Sequence, residues 1–315
     1  MVRFEPYHPR WTCHHIIVGG RRAFSYEFFP KNSMTGTNMD VYQLSFLRET
    51  IDPKEDNNLY PFLHILPDGG EEELSSDWLV GVASDQSPEV MICGGAHSES
   101  YIKAEEGLYV ETSKTCGRLK PTDPEPQWSM EEMPMGRVML GMLSLPNSDI
   151  VILNGASKGA AGWEHAIDPV LNPVLYKPNE PVQVKRFAVL NPTTIPRMYH
   201  SAATLLPDGR ILVGESNPHV QYNFTGVKDP SELSLEAFLP HFLGPQYSHL
   251  RPSTLLVEGS TSDCVSNGQK FSITFALGLI GGDRGFTVTM VAPSFTTHSV
   301  AMIQRLLVLD IVEVQ

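Results

Sequence analysis

Short apolar runs, several of them carrying a Pro-Asp-Gly or Pro-Asn-Ser turn, recur along this chain and limit its fold more than any other feature. They are read at "HHIIVGG" (14–20), "YPFLHILPDGG" (60–70), "PEVMICGGA" (88–96), "MLSLPNSDIVILNGA" (142–156) and "TLLPDGRILVGES" (204–216). Where that turn is present, its residues accept left-handed backbone angles and the flanking apolar residues face a core, which is the pattern of a β-hairpin. Helical periodicity is scarce. The last two units end about 60 residues apart, and the "VMICGG" unit precedes them by a similar step. Groups of four short strands at a period near 50 residues are the sequence mark of propeller blades, so an all-β propeller is expected.

The texture changes near residue 230. "SELSLEAFLPHFL" (231–243) is expected to form a helical turn or an irregular connector. "FSITFAL" (271–277) and "FTVTMVAP" (286–293) then alternate polar and apolar residues, as half-buried strands of a small sandwich do, and "RLLVLDIVEV" (305–314) reads as a further strand. The expected domains are therefore a partial propeller over 1–232 and a C-terminal sandwich over 233–315, cut short after Gln315.

Composition narrows the function classes. Hydrophobic residues make up 41% and charged residues 19% of the 315, the balance of a globular protein rather than a disordered one. The net charge of -13, with no run of Lys or Arg, argues against nucleic acid, whose phosphates call for clustered cations. No stretch of about 18 apolar residues occurs, so no membrane span is expected. The opening "MVRFEPYHPRWTC" lacks the apolar core of a secretory signal.

Four cysteines, Cys13, Cys93, Cys116 and Cys264, form no CxxC pattern, which argues against a zinc knuckle or a dithiol redox site. Cys93 ends one strand and Cys116 opens a turn. The pair suits either a disulfide between neighbouring strands, as in an oxidising compartment, or two buried thiols. Asn223-Phe224-Thr225 is an N-glycosylation sequon.

Tyr199-His200, at the head of a strand, and His298, in "SFTTHSV", are the candidate metal ligands. Imidazole suits copper, and a phenolate can join it when the metal lowers its pKa. The alternative is a surface hydrogen-bonding pair and a loop histidine. His14 and His15 after Cys13 point to opposite faces of a strand and cannot easily serve one ion. "NGASKGAAGWEHA" (154–166) lacks the Lys-Ser/Thr of a phosphate loop and reads as a long propeller loop that lines a pocket with Trp163.

"RMYHSAATLLPDGRILVGESNPHVQYNFTG", "YPFLHILPDG", "EVMICGGA", "AGWEHAIDPVLNPVLY" and "VAPSFTTHSVAMIQRLLVL" together resemble the plant and fungal glyoxal oxidases, relatives of galactose oxidase, from about residue 10 to the end. The resemblance implies a seven-bladed kelch-type propeller followed by an immunoglobulin-like sandwich. It also implies copper-radical oxidation of aldehydes to carboxylic acids outside the cell, with dioxygen reduced to hydrogen peroxide. By the same resemblance Tyr199 is the axial copper ligand and the base that receives the substrate proton. His200 and His298 are then the equatorial ligands.

The chain also departs from that pattern. The family's radical cofactor is a second Tyr cross-linked to a Cys. Thr12 falls where that Tyr is expected, the blade that supplies the Cys is missing, and Cys13 comes from the wrong strand to replace it. Tyr60 matches a tyrosine of the next blade, not the radical site. An acidic stretch (67–80) stands where the family has an apolar strand, "VMLGM" (138–142) differs from the usual "VMGDM", and Glu215 replaces a usual Gly. The expected outcome is an impaired oxidase that lacks the Tyr-Cys radical pair. The alternative is a non-catalytic propeller that binds copper or a cell-wall carbohydrate.

Overall fold

Two of the turns read from the sequence, at 145–149 and 206–210, close as hairpins, and a third, at 66–70, lies outside the described residues. Leu206 N–H donates to Arg210 O (2.8 Å) across "LPDGR", with Gly209 at φ +84, and Leu145 N–H donates to Asp149 O (2.8 Å) across "LPNSD". The computed structural model describes residues 2–4, 14–20, 23–29, 40–51, 62–65, 71–74, 79–83, 88–258, 269–277, 286–292, 294–297, 300–302 and 304–314. Among these, strands far outnumber helices and every pairing is antiparallel.

Three four-stranded meanders and one three-stranded meander make up the blades. The first runs Val2–Phe4, His14–Gly20, Ala23–Phe29 and Val41–Gln43, and the next runs Leu79–Ala83, Pro88–Cys93, Thr115–Leu119 and Ser129–Glu132. The third sheet comprises Gly141–Ser144, Ile150–Leu153, Val174–Tyr176 and Phe187–Val189. The fourth comprises Ala202–Leu205, Ile211–Ser216 and Glu232–Phe238. The acidic "EEEL" forms a strand, Glu71–Leu74, paired with Phe62–Ile65.

Packing between blades explains why the inner strands are apolar throughout. In the third sheet, Met142, Ile150, Ile152, Val174 and Tyr176 join Val90, Met91 and Cys93 of the sheet before. The alternate residues Leu143, Leu145, Val151, Leu153 and Leu175 join Ala203, Ile211 and Val213 of the sheet after. Because strand side chains alternate faces, a strand wedged between two neighbours needs apolar residues at every position. Burial fades outward: Gly141–Ser144 is wholly buried and Phe187–Val189 is half-exposed. A buried carboxylate adds a polar tie between these sheets, since Glu131 Oε1 accepts from Tyr176 Oη (3.1 Å) and from Arg186 (2.5 Å).

Two readings of the sequence are corrected. Residues 231–243 were expected to be a helical turn or a connector, yet Glu232–Phe238 is a strand paired with Ile211–Ser216, and only His241–Leu243 turns as a 3₁₀ helix. The strand is favoured by distant partners: it brings Glu236 to Arg197 and Phe238 against the apolar cluster. The Gly-rich stretch 154–166 is likewise more than a loop. Its ends pair as a two-stranded ribbon, Ala156–Gly159 with Ala166–Pro169, inserted between the second and third strands of a blade. Gly159 (φ +98) allows the close approach to His165 at the ribbon's tip.

The C-terminal region contributes the strand pairs Ser253–Glu258 with Ser272–Ala276, Val288–Ala292 with Arg305–Leu309, and Phe295–Thr297 with Val300–Met302. It meets the propeller through side-chain hydrogen bonds. Thr289 Oγ1 donates to Pro146 O (2.7 Å) and Thr296 Oγ1 to Ala203 O (3.0 Å), while the Gln304 amide bonds both Ser144 N–H (2.9 Å) and Met142 O (2.5 Å). No helix among the described residues is long and apolar enough to cross a membrane.

Candidate metal centre

Tyr199 and His200 form a turn just before the inner strand Ala202–Leu205, and buried groups hold that turn on both sides. Arg197, 2% exposed, pairs with Glu236 (3.0 Å) and also donates to the carbonyls of Ser234 (3.0 Å) and Glu215 (3.3 Å). Its own carbonyl accepts from Gly155 N–H of the preceding blade (2.7 Å). Ser216 Oγ accepts from Met198 N–H (2.9 Å), and Tyr199 O accepts from Asn217 N–H (2.7 Å). Asn154 Nδ2 donates to Ser201 Oγ (3.3 Å). One blade repeats earlier, Arg137 stands in the equivalent place, with its carbonyl accepting from Gly95 N–H (3.0 Å). The repeated Arg before an inner strand was visible in the sequence as "GRVML" and "PRMYH", and only the hydrogen bonds show what it does.

The backbone at this place is unusual. His200 has φ +62, a left-handed angle uncommon for a residue with a side chain. Glu215 beside it has φ +57 and sits at a register shift between Gly214 and Ser216, the bulge position that favours Gly. The departure from Gly seen in the sequence therefore falls on a strained residue next to the candidate ligands.

The Tyr199 and His200 rings stand 4.2 Å apart, nearly perpendicular at 79°, and His200 Nε2 is buried. Burial lowers the His200 pKa, against a smaller opposing pull from Glu215. The shift favours the neutral, lone-pair-bearing imidazole, the form that binds a metal. Tyr199 packs against the buried cluster between the blades. Trp163, at the tip of the inserted ribbon, stacks on His200 (6.0 Å, 18°) and meets Tyr199 edge-on (6.1 Å, 85°).

A neutral imidazole and a phenol that share one turn fit copper as a donor set. Among the described residues no three of His, Cys, Asp and Glu converge on one point. His298 lies outside the described residues, as do Thr12, Cys13, Tyr60 and Cys264. Thr296, two places before His298 in the sequence, bonds the strand that follows His200. Cys93 and Cys116 face each other on adjacent strands and are joined by a disulfide. Asn223 is exposed, with its backbone bonded to Ser231.

Comparison with known proteins gives the family and the fold. Residues 11–71 and 78–242 match the family described as Glyoxal oxidase N-terminus, and residues 251–315 match Galactose oxidase-like, Early set domain. The chain is 38% identical to Aldehyde oxidase GLOX1 of Arabidopsis thaliana, over 94% of this chain and 54% of that one. It is 35% identical to Aldehyde oxidase GLOX of Vitis pseudoreticulata, over 94% of this chain and 60% of that one. The chain thus spans little more than half the length of these curated relatives. A fungal alcohol oxidase of the AA5 family, solved in complex with copper, shares the fold with a TM-score of 0.63 at 17% identity, over 94% of this chain and 64% of that one. A β-propeller followed by an immunoglobulin-like domain, and a family match across most of its length, establish that the chain belongs to the glyoxal oxidase family.

Proposed function

We propose that this chain is a copper-binding member of its family in which Tyr199, His200 and His298 hold the metal, and in which oxidase activity is impaired. The observation that carries the copper reading is the Tyr199–His200 turn, with its rings 4.2 Å apart and the His200 Nε2 buried. The bond from Thr296 to Ala203 supports the inclusion of His298, because it ties the neighbouring part of the C-terminal chain to the same strand. Copper, when bound, supplies one-electron redox chemistry to such a site. With copper held there, Tyr199 would be present as its phenolate and that oxygen would receive the substrate proton, while burial favours the neutral nitrogen of His200.

The family's reaction takes an aldehyde, water and dioxygen to a carboxylic acid and hydrogen peroxide. Impairment is inferred from the sequence, where Thr12 stands at the place expected of the radical Tyr. The kelch-type blade count, the aldehyde substrate and an extracellular location belong to the same proposal. The Cys93–Cys116 disulfide supports the location, since such bonds persist in oxidising compartments. A glycan on the exposed Asn223 fits the same setting. A cell-wall carbohydrate partner is the remaining alternative for a chain that does not turn over aldehydes.

The deciding experiment is peroxide release from the purified, copper-loaded chain given methylglyoxal, with circular dichroism to verify folding. Bound copper without peroxide is the expected result. Copper-dependent peroxide would refute the impairment, and Tyr199→Phe should then lower that activity sharply. Equal copper stoichiometry in the parent and the His298→Ala variant would refute the ligand assignment.

A further inference from the structure

Trp163 is 44% exposed, yet it is held firmly. The ribbon tip that carries it is closed by Ala160 N–H donating to His165 O (2.8 Å) and is fastened to a neighbouring loop by Glu164 N–H donating to Pro218 O (2.7 Å). Tyr109 Oη donates to Glu164 O (3.1 Å), and the Glu164 carboxylate lies 3.2 Å from the His219 ring. His165 stacks on Tyr101 at 4.5 Å. Gly162 (φ +138) and Glu164 (φ +62) flank the tryptophan with left-handed backbone angles. For Glu164 that angle is strained, and strain of this kind persists only where the surroundings over-determine it.

The position this anchoring secures is specific. The indole lies nearly parallel to the His200 ring and meets the Tyr199 ring at its edge, so one side of the candidate ligand pair is covered by a rigid aromatic surface. A rigid aromatic wall of this kind fixes ligand orientation and keeps water from one side of the centre. It also offers an electron-rich face to a flat, electron-poor partner.

We propose that Trp163 is the specificity-determining wall of the Tyr199–His200 centre, the platform on which a small planar carbonyl compound lies beside the metal. This rests on the copper reading above.

The test is a copper(II) titration of the parent, Trp163→Phe, Trp163→Leu and His200→Ala chains, read by tryptophan fluorescence and by copper retained after dialysis. Of the two tryptophans among the described residues, Trp128 and Trp163, it is Trp163 that adjoins the centre, so bound copper quenches part of the parent emission. Trp163→Phe should retain copper at the parental stoichiometry and lose that quenched component. Methylglyoxal is then titrated against the visible copper band. Its binding should weaken about tenfold in Trp163→Leu, which removes the aromatic face, and stay within about threefold of the parent in Trp163→Phe. Persistence of the quench in Trp163→Phe, or parental methylglyoxal binding in Trp163→Leu, with copper bound in both, would overturn the wall and leave the centre standing. No retained copper in the parent, or unchanged copper in His200→Ala, would overturn the centre itself and the wall with it.

Discussion

Gln304 joins the two parts of this chain through one side-chain amide. It is 4% exposed and stands 160 residues from its partner Ser144, whose N–H it accepts, while its amide nitrogen donates to Met142 O. Both partners lie on the inner strand Gly141–Ser144, at the end of its sheet. The amide thus acts as one peptide unit of an additional strand and covers an edge that would otherwise be unpaired. Gln304→Ala removes two hydrogen bonds and leaves a buried N–H and C=O without those partners, a loss of about 2–4 kcal/mol. For a chain of this size the corresponding fall in Tm is on the order of 3–6 °C. Scanning calorimetry of parent and variant measures it. Gln304→Glu adds a check on sign, because its carboxylate still accepts from Ser144 but turns a second oxygen toward Met142 O. Only the protonated acid can donate there, so its folded-state pKa is raised. The variant's stability should therefore be fullest below about pH 4, the unfolded pKa of Glu, and fall as pH rises through the folded value. A Gln304→Ala chain that melts within about 1 °C of the parent, or a Gln304→Glu chain insensitive to pH, would show that the amide does not join the two parts as described.

Three further outcomes follow from the same geometry. Glu215→Gly should stabilise the fold by about 1 kcal/mol, read as a higher urea midpoint at unchanged slope, because it relieves a left-handed angle at a bulge. Arg197→Ala should destabilise by about 3–5 kcal/mol and lower copper retention, since it leaves the Glu236 carboxylate without its buried cation and frees the turn that presents Tyr199 and His200. A parental copper content in a folded Arg197→Ala chain would contradict that role. Cys116→Ala should cost about 3 kcal/mol, the chain-entropy value for a link spanning 23 residues, and reduction of the parent should reproduce it in denaturant titrations.

What the sequence carried by itself was local. Pro-Asp-Gly and Pro-Asn-Ser fix a hairpin through the angles that their own residues accept, and unbroken apolar runs such as "IVIL" mark strands covered on both faces. Tyr199 and His200 could be singled out because they are chain neighbours, and because the words around them resemble a known family. Tertiary structure decided the rest, where partners distant in sequence outweigh local preference. "ELSLEAF" has no strong strand signal, yet it pairs with Ile211–Ser216 because Glu236 meets Arg197, 39 residues earlier, and Phe238 reaches the inter-blade core. Nothing in "AAGWEHA" states that Trp163 will face His200; that depends on a ribbon folding back between two strands of a blade and fastening to Pro218 and His219. Turn chemistry acts over a few residues and can be read along the chain. Side chains 37 residues apart, as Trp163 and His200 are, meet only once the blades have packed.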